Sequence, residues 1–256
     1  MDAALACPAG PAGPLTVARS ALFLAWFWVW TVVMALLIAP FLVLPWRWMW
    51  RLVRFWMAGL GFGLRVFAGI DYRVRGLERV PARPVILAVK HQSAWETFTL
   101  PLIRPDVAIV LKRELSALPF FGWYTRKTGM IAVERTAGAK ALRGLIEAAR
   151  HALAERRSIL LFPEGTRTTP GEHRPYHPGV AALYGQLDVP VYPVAHDAGR
   201  FWPRRGLLKR PGTITVEFLE PIPPGLSRRE FMRRLHEAIE GASDRLLAAS
   251  APAART

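Results

Sequence analysis

Residues 84–98 read Pro-Val-Ile-Leu-Ala-Val-Lys-His-Gln-Ser-Ala-Trp-Glu-Thr-Phe. The apolar run from Val85 to Val89 is short and rich in β-branched residues, as suits a strand buried on both faces, and such strands belong to parallel sheets covered by helices. The run ends at Lys90 and His91, and a helical pattern takes over by Thr97. A strand that turns directly into a helix is the repeating unit of α/β folds, which place their ligands at the carboxyl ends of the strands.

The same pattern recurs along the chain. Val107–Leu111, Met130–Val133, Ser158–Phe162, Val189–Ala195 and Thr213–Leu219 are further strand candidates, while Thr97–Ile103, Ala137–Arg156, Pro178–Leu187 and Arg228–Ala249 have helical spacing. The expected fold is α/β, a mainly parallel sheet flanked by helices over residues 70–249, with disordered ends at 1–18 and 250–256.

Residues 19–69 obey a different solvent. Ser20 to Trp46 holds no charge, and as a helix it would be roughly 40 Å long against about 30 Å of bilayer hydrocarbon. No small-residue cleavage site follows, so the segment reads as a retained anchor. Trp48 to Gly69 carries Arg47, Arg51 and Arg54 beside it at helical spacing, interleaved with tryptophan, as an interfacial helix does. An anchoring helix pair is therefore expected, either spanning with the later residues cytoplasmic or dipping as a hairpin into one leaflet.

Of 256 residues, 34 are basic and 19 acidic, for a net charge of +15, and 52% are hydrophobic. Such apolar content excludes intrinsic disorder, and the single cysteine, Cys7, excludes a disulfide framework or a thiolate zinc site. Seven of the ten tryptophans precede residue 60, whereas residues 71–256 carry 29 of the basic side chains against 18 acidic ones. Grease and charge thus occupy separate regions, and the charge calls for an anionic partner.

Two clusters carry chemistry. His91 and Glu96 are five residues apart, which on one helix would set them some 140° from each other. Across a strand-to-helix turn they can meet, and the carboxylate can then orient the imidazole as a base. Ser93 lacks a nucleophile elbow. In Ser158-Ile-Leu-Leu-Phe-Pro-Glu-Gly-Thr-Arg167 a strand runs into a turn whose Gly165, Thr166 and Arg167 suit a phosphate. Lys112 and Arg135 also follow strand candidates and add cations to the same edge.

These blocks, in this order, resemble the glycerolipid acyltransferases typified by 1-acylglycerol-3-phosphate acyltransferase. His91 to Glu96 is similar to the family's His-to-acid block, with Glu in place of the usual Asp and Lys90 where Asn is common. Pro119, Gly122, Gly129 and Arg135 resemble its second block, Phe162 to Arg167 its third, and Val189-Pro-Val-Tyr-Pro-Val194 its fourth. The resemblance implies a membrane-bound enzyme in which His91 is the general base on the hydroxyl of a lysophospholipid, oriented by Glu96. Arg135, Glu164, Gly165, Thr166, Arg167 and Lys112 would hold the glycerol phosphate, and acyl-CoA or acyl-carrier protein would be the donor. It implies lysophosphatidate as acceptor, the inner membrane with the catalytic part cytoplasmic, and neither metal nor organic cofactor. The alternatives are another lysophospholipid or a lyso-aminolipid as acceptor, or a silent lipid- or nucleic-acid-binding protein.

Other signals are set aside. Gly59-Leu-Gly-Phe-Gly63 follows no strand and reads as helix packing. His173, His177 and Glu172 lie in a loop without metal-site spacing, and His151, His196 and His236 show no partner pattern. The late arginines, Arg204, Arg205, Arg228, Arg229, Arg233 and Arg234 among them, sit in no nucleic-acid module, so nucleic acid is not an expected partner.

Overall fold

The structure, a computed structural model, describes residues 13–134 and 138–249, so the expectations for residues 1–12, for Arg135 and for residues 250–256 lie outside the described residues. Its strands are β1 (Ile70–Arg75), β2 (Ile86–Val89), β3 (Val107–Lys112), β4 (Ile131–Val133), β5 (Ser158–Leu161), β6 (Val191–His196) and β7 (Gly212–Phe218). They form one sheet in the order β1-β7-β6-β2-β5-β3-β4. Every neighbouring pair is parallel except β6 with β7, so β1 and β7 run against the rest.

The sequence reading contains no β1. Its Asp71, Arg73 and Arg75 interrupt the apolar pattern, as befits an edge strand with β7 as neighbour on one side only. The central strands β2, β5 and β6 are buried throughout, and period-two alternation sends their residues to opposite faces.

The helices are α1 (Pro14–Ile38), α2 (Trp46–Gly63), α3 (Trp95–Ile103), α4 (Phe121–Lys127), α5 (Gly138–Ala154), α6 (Pro178–Leu187), α7 (Ala198–Phe201) and α8 (Arg228–Ala249). Ile86, Ala88 and Ile159 pack against Leu145 and Ala149 of α5, Leu183 of α6 and Phe231, Leu235 and Ile239 of α8. On the opposite face Leu87, Val89 and Leu160 meet Trp95 and Leu100 of α3, but also Phe23 of α1 and Trp50, Met57 and Leu64 of the second helical segment. The two N-terminal helices therefore complete one wall of the core.

α1 begins at Pro14, so residues 14–18, expected to be disordered, are corrected to helix, and proline at the first helical turn costs no hydrogen bond. It continues as a tight turn through Val43 before α2 returns. The indoles of Trp26 and Trp30 stack 5.3 Å apart and donate to the carbonyls of Gly59 (2.9 Å) and Trp56 (2.9 Å). A Cβ at Gly59 or Gly63 would collide with those indoles, so the glycine repeat is a packing surface.

At the foot of the sheet the buried Arg157 donates to the carbonyls of Gly129 (3.1 Å) and Val107 (2.7 Å) while lying 4.7 Å over the Trp46 ring. Burial pulls this guanidinium down to about 10. The arginine thus joins the start of α2 to the sheet.

Phe231 has no exposed surface and stacks 3.8 Å from Tyr184. Truncating it empties the layer between α6 and α8, so Phe231→Ala should cost about 3–5 kcal/mol, read by denaturant unfolding in detergent. A loss under about 1 kcal/mol would mean that α8 does not anchor the core.

Candidate active site

β2 delivers Lys90 and His91 to its carboxyl end, and the chain turns through residues 91–94 into α3. Glu96, in the first turn of α3, has no exposed surface and folds back under that turn. Its Oε1 accepts from the amides of Gln92 (2.9 Å) and Ser93 (2.8 Å) and lies 2.7 Å from His91 Nδ1. An ionised carboxylate can only accept, so Nδ1 carries the proton and Nε2 keeps its lone pair. The ring stacks 3.9 Å from Phe162 at 17°, which fixes its plane. Ser93 is buried, and its hydroxyl accepts from the Trp95 amide at 3.2 Å, a turn cap and not a nucleophile.

Burial works to raise the Glu96 carboxyl. The nearby His196 imidazole, the His91 imidazole through its hydrogen bond and electrostatics, and the Ser93 amide outweigh it, and the group sits below its ordinary value. His196 Nε2, 3.9 Å from the second Glu96 oxygen, donates to the Lys90 carbonyl at 2.7 Å, while its Nδ1 accepts from the Ala198 amide at 3.2 Å. That pair of bonds fixes the neutral tautomer with the proton on Nε2. The expectation that His196 has no partner is corrected: it ends β6 and braces the turn that carries His91. Its signal was its place just beyond the fourth block.

Glu164 is also corrected. Its side chain has no exposed surface, and its oxygens take the His91 amide (2.7 Å), the Thr168 hydroxyl (2.9 Å) and Lys90 Nζ (2.6 Å). A buried carboxylate so occupied is a brace for His91, not a contact for an anion. The next residue, Gly165, has φ +65°, a conformation that L side chains rarely adopt, and it reverses the chain so that Thr166 and Arg167 stand half-buried beyond it. Arg167 has no ion pair with any described residue. Thr168 returns inward: its amide donates to the His91 carbonyl at 2.7 Å, and its hydroxyl, which donates to Glu164, lies 3.1 Å from the same oxygen.

Lys112 ends β3, exposed, with β5 between it and β2. Two strand spacings put its backbone about 10 Å from that of Lys90. Arg135 lies outside the described residues, immediately after Glu134, whose carboxylate pairs with Arg113.

A cavity of about 290 Å³ lies between α1, α2, α3, β3 and α4. Thr97 and Phe98, next to Glu96, line it together with Trp28, Met34, Trp56 and Tyr124. Its wall is almost wholly apolar. An apolar acyl-chain tunnel is an expectation of the sequence, but the lining residues are not legible there because five elements far apart in the chain supply them.

Residues 71–197 match the family model described as Acyltransferase. The 1-acyl-sn-glycerol-3-phosphate acyltransferase of Pseudomonas aeruginosa is 42% identical over 180 residues, which cover 70% of this chain and 69% of that protein. The chain belongs to the acyltransferase family. It is similar to the 1-acylglycerol-3-phosphate branch of these enzymes, and the lyso-ornithine lipid O-acyltransferase of the same bacterium is 29% identical over 207 residues, covering 74% of this chain and 77% of that one. In fold, this acyltransferase is similar to the crystal structure of the 1-acyl-sn-glycerophosphate acyltransferase PlsC of Thermotoga maritima. The TM-score is 0.74 at 23% identity, over 91% of this chain and 98% of that one.

The depressed Glu96 carboxyl has a measurable sign. A folded-state value below the ordinary 4.5 gives stability that is present above that pH and lost as pH falls through the folded value. The melting-temperature gap between the native acyltransferase and Glu96→Gln should therefore be widest near neutrality and close below about pH 4.5. A gap independent of pH between 3 and 7 would contradict the ionised carboxylate.

Proposed function

We propose that this acyltransferase moves a fatty acyl group from a thioester to the free hydroxyl of lysophosphatidate, giving phosphatidate. The observation that carries the reading is the 2.7 Å contact of His91 Nδ1 with the buried Glu96 carboxylate, which leaves Nε2 as a base at the sheet's catalytic edge. Nε2 takes the hydroxyl proton as the oxygen attacks the thioester carbonyl. Collapse breaks the C–S bond, and the imidazolium returns the proton to the leaving thiolate. Glu96 stabilises the imidazolium between those events, and no acyl-enzyme is needed.

Thr166 and Arg167, past the Gly165 turn, and Lys112 on the same edge are the proposed phosphate contacts, and Arg135 is added to them by the family resemblance. The apolar cavity beside Thr97 and Phe98 is the proposed acyl site. The donor is acyl-CoA or acyl-carrier protein. A second reading, O-acylation of an amino-acid-headed lysolipid, draws support from the similarity to the lyso-ornithine lipid enzyme and keeps the same chemistry with a different headgroup.

The proposed setting is the cytoplasmic face of the inner membrane. Pro14–Val43 is long and apolar enough to cross a bilayer, and Leu22, Trp28, Val29, Val32, Leu36 and Leu37 are each more than half exposed. Phe55 and Phe62 of α2, with Phe121 and Trp123 of α4, extend that greasy surface. Yet α1 is tied to the catalytic part along its length. The Ser20 hydroxyl accepts from the Lys209 amide at 2.8 Å, the Phe23 ring lies 5.3 Å from Trp202, and the Tyr124 hydroxyl donates to the Ala35 carbonyl. These contacts support a hairpin lying in one leaflet over a spanning helix, with Arg47 and Arg51 exposed toward lipid phosphates.

The test is the full chain in detergent with acyl-CoA or acyl-carrier protein and a panel of lysolipids. His91→Ala should lower kcat by about 10²–10⁴-fold, the usual worth of general-base catalysis. Transfer unaffected by that substitution would refute the mechanism, and transfer to an amino-acid-headed lysolipid alone would install the second reading. In liposomes, tryptophan fluorescence should be quenched by brominated lipid and less so in Trp28→Phe, whereas no quenching would refute the leaflet-embedded face.

A further inference from the structure

Lys90 immediately precedes the proposed base and is 1% exposed, an unusual place for an ammonium group. All three of its donors are used: Nζ lies 2.6 Å from Glu164 Oε1, 2.7 Å from Glu240 Oε2 and 3.1 Å from the Glu172 carbonyl. Glu164 in turn holds the His91 amide. Glu240 lies midway along α8, and the Tyr176 hydroxyl donates to its other oxygen at 2.6 Å. His173 Nε2 stands 3.6 Å from Glu240 and 3.1 Å from Asp244, at the solvent end of the cluster.

An unbroken line of short polar contacts thus runs from α8 through Lys90 and Glu164 to the backbone of His91. The cluster buries one cation between two carboxylates. Burial raises the Glu164 carboxyl, and Lys90 is the main influence that opposes it. Without Lys90, two buried carboxylates would face each other, and one would take up a proton or move. Either event loosens the acceptor that holds His91.

We propose that Lys90 and Glu240 are a positioning pair, through which α8 fixes the aim of His91. Glu164 already gives Lys90 one counter-charge, so Glu240 is its second and the one that ties it to α8. The inference rests on the reading of His91 as general base.

The experiment measures acyl transfer from acyl-CoA to lysophosphatidate by the full chain in detergent. Lys90→Met should lower kcat by at least about 30-fold with KM for lysophosphatidate little changed, since the aim of the base is lost and the phosphate contacts are not. Adding Glu240→Gln to Lys90→Met leaves a single buried carboxylate and should recover at least about 5-fold of that loss. Glu240→Gln alone, which preserves shape, should lower kcat about 5-fold and serves if Lys90→Met does not fold.

A substrate-free reading accompanies the kinetics. Carbethoxylation of His91 at fixed pH, followed by peptide mass spectrometry, should speed up in Lys90→Met and in Glu240→Gln and slow again in the double variant. A loss confined to KM, a double variant no faster than Lys90→Met, or His91 reactivity unchanged in all variants would overturn the pairing. An active His91→Ala would instead overturn the reading beneath it, while the carbethoxylation rates would still decide the pairing.

Discussion

A carboxylate taken wholly out of water has to find its hydrogen-bond donors inside the protein, and the turn after β2 is shaped around Glu96 Oε1 meeting that demand, while Oε2 is buried without a hydrogen bond. Its Oε1 collects the amides of Gln92 and Ser93 as well as the His91 ring. The two amides converge only if residues 91–94 are folded into the turn, so the interaction that sets the imidazole tautomer also sets the backbone that carries it. Geometry and electronics therefore rise and fall together. The neutral His196 braces the same turn from β6 by holding the Lys90 carbonyl, and Phe162 presses the ring from β5's end.

The turn after β5 shows how one short segment can face two ways. Glu164 points inward to the His91 amide, and Thr168 returns to the His91 carbonyl, so that backbone position is gripped at both its donor and its acceptor. Between them the positive φ of Gly165 throws Thr166 and Arg167 outward. An inward acid and an outward cation three residues apart need a reversal that an L side chain resists. This is the physical content of the Glu-Gly-Thr-Arg string: the first residue holds the His91 backbone, and the last stands on the other side of the turn, where the proposed function has it meet an anion.

The apolar strands were legible because burial on both faces leaves a run such as Val85–Val89 that little else explains. β1 was not, because an edge strand keeps its charges. His91 and Glu96 were legible through their spacing at a strand-to-helix turn. The role of Glu164 was misread because adjacency in sequence does not say which side of a turn a side chain takes. Lys90 was invisible as a buried charge, since a lysine paired inside looks the same in sequence as one in water and its partner Glu240 is 150 residues away. The cavity's lining was beyond sequence for the same reason, being drawn from five separate elements.

The early helices reconcile the grease with the chemistry. In the proposed one-leaflet arrangement, Trp28 and Val32 are 63% and 54% exposed, and both also line the apolar cavity. One helix face thus serves as bilayer surface and cavity wall at once. On that reading an acyl chain leaving the leaflet there would enter protein without passing through water, and its transfer into the proposed site would forfeit no hydrophobic stabilisation, about 0.8 kcal/mol per methylene. The charge has the complementary task. Lys112 and Arg167 stand at the carboxyl edge of the sheet, where the proposed function brings headgroup and donor phosphates from the aqueous side. In that proposed arrangement the sheet's carboxyl edge is the boundary between the two solvents, and His91 sits where the proposed reaction joins a chain soluble in one to a hydroxyl presented at the other.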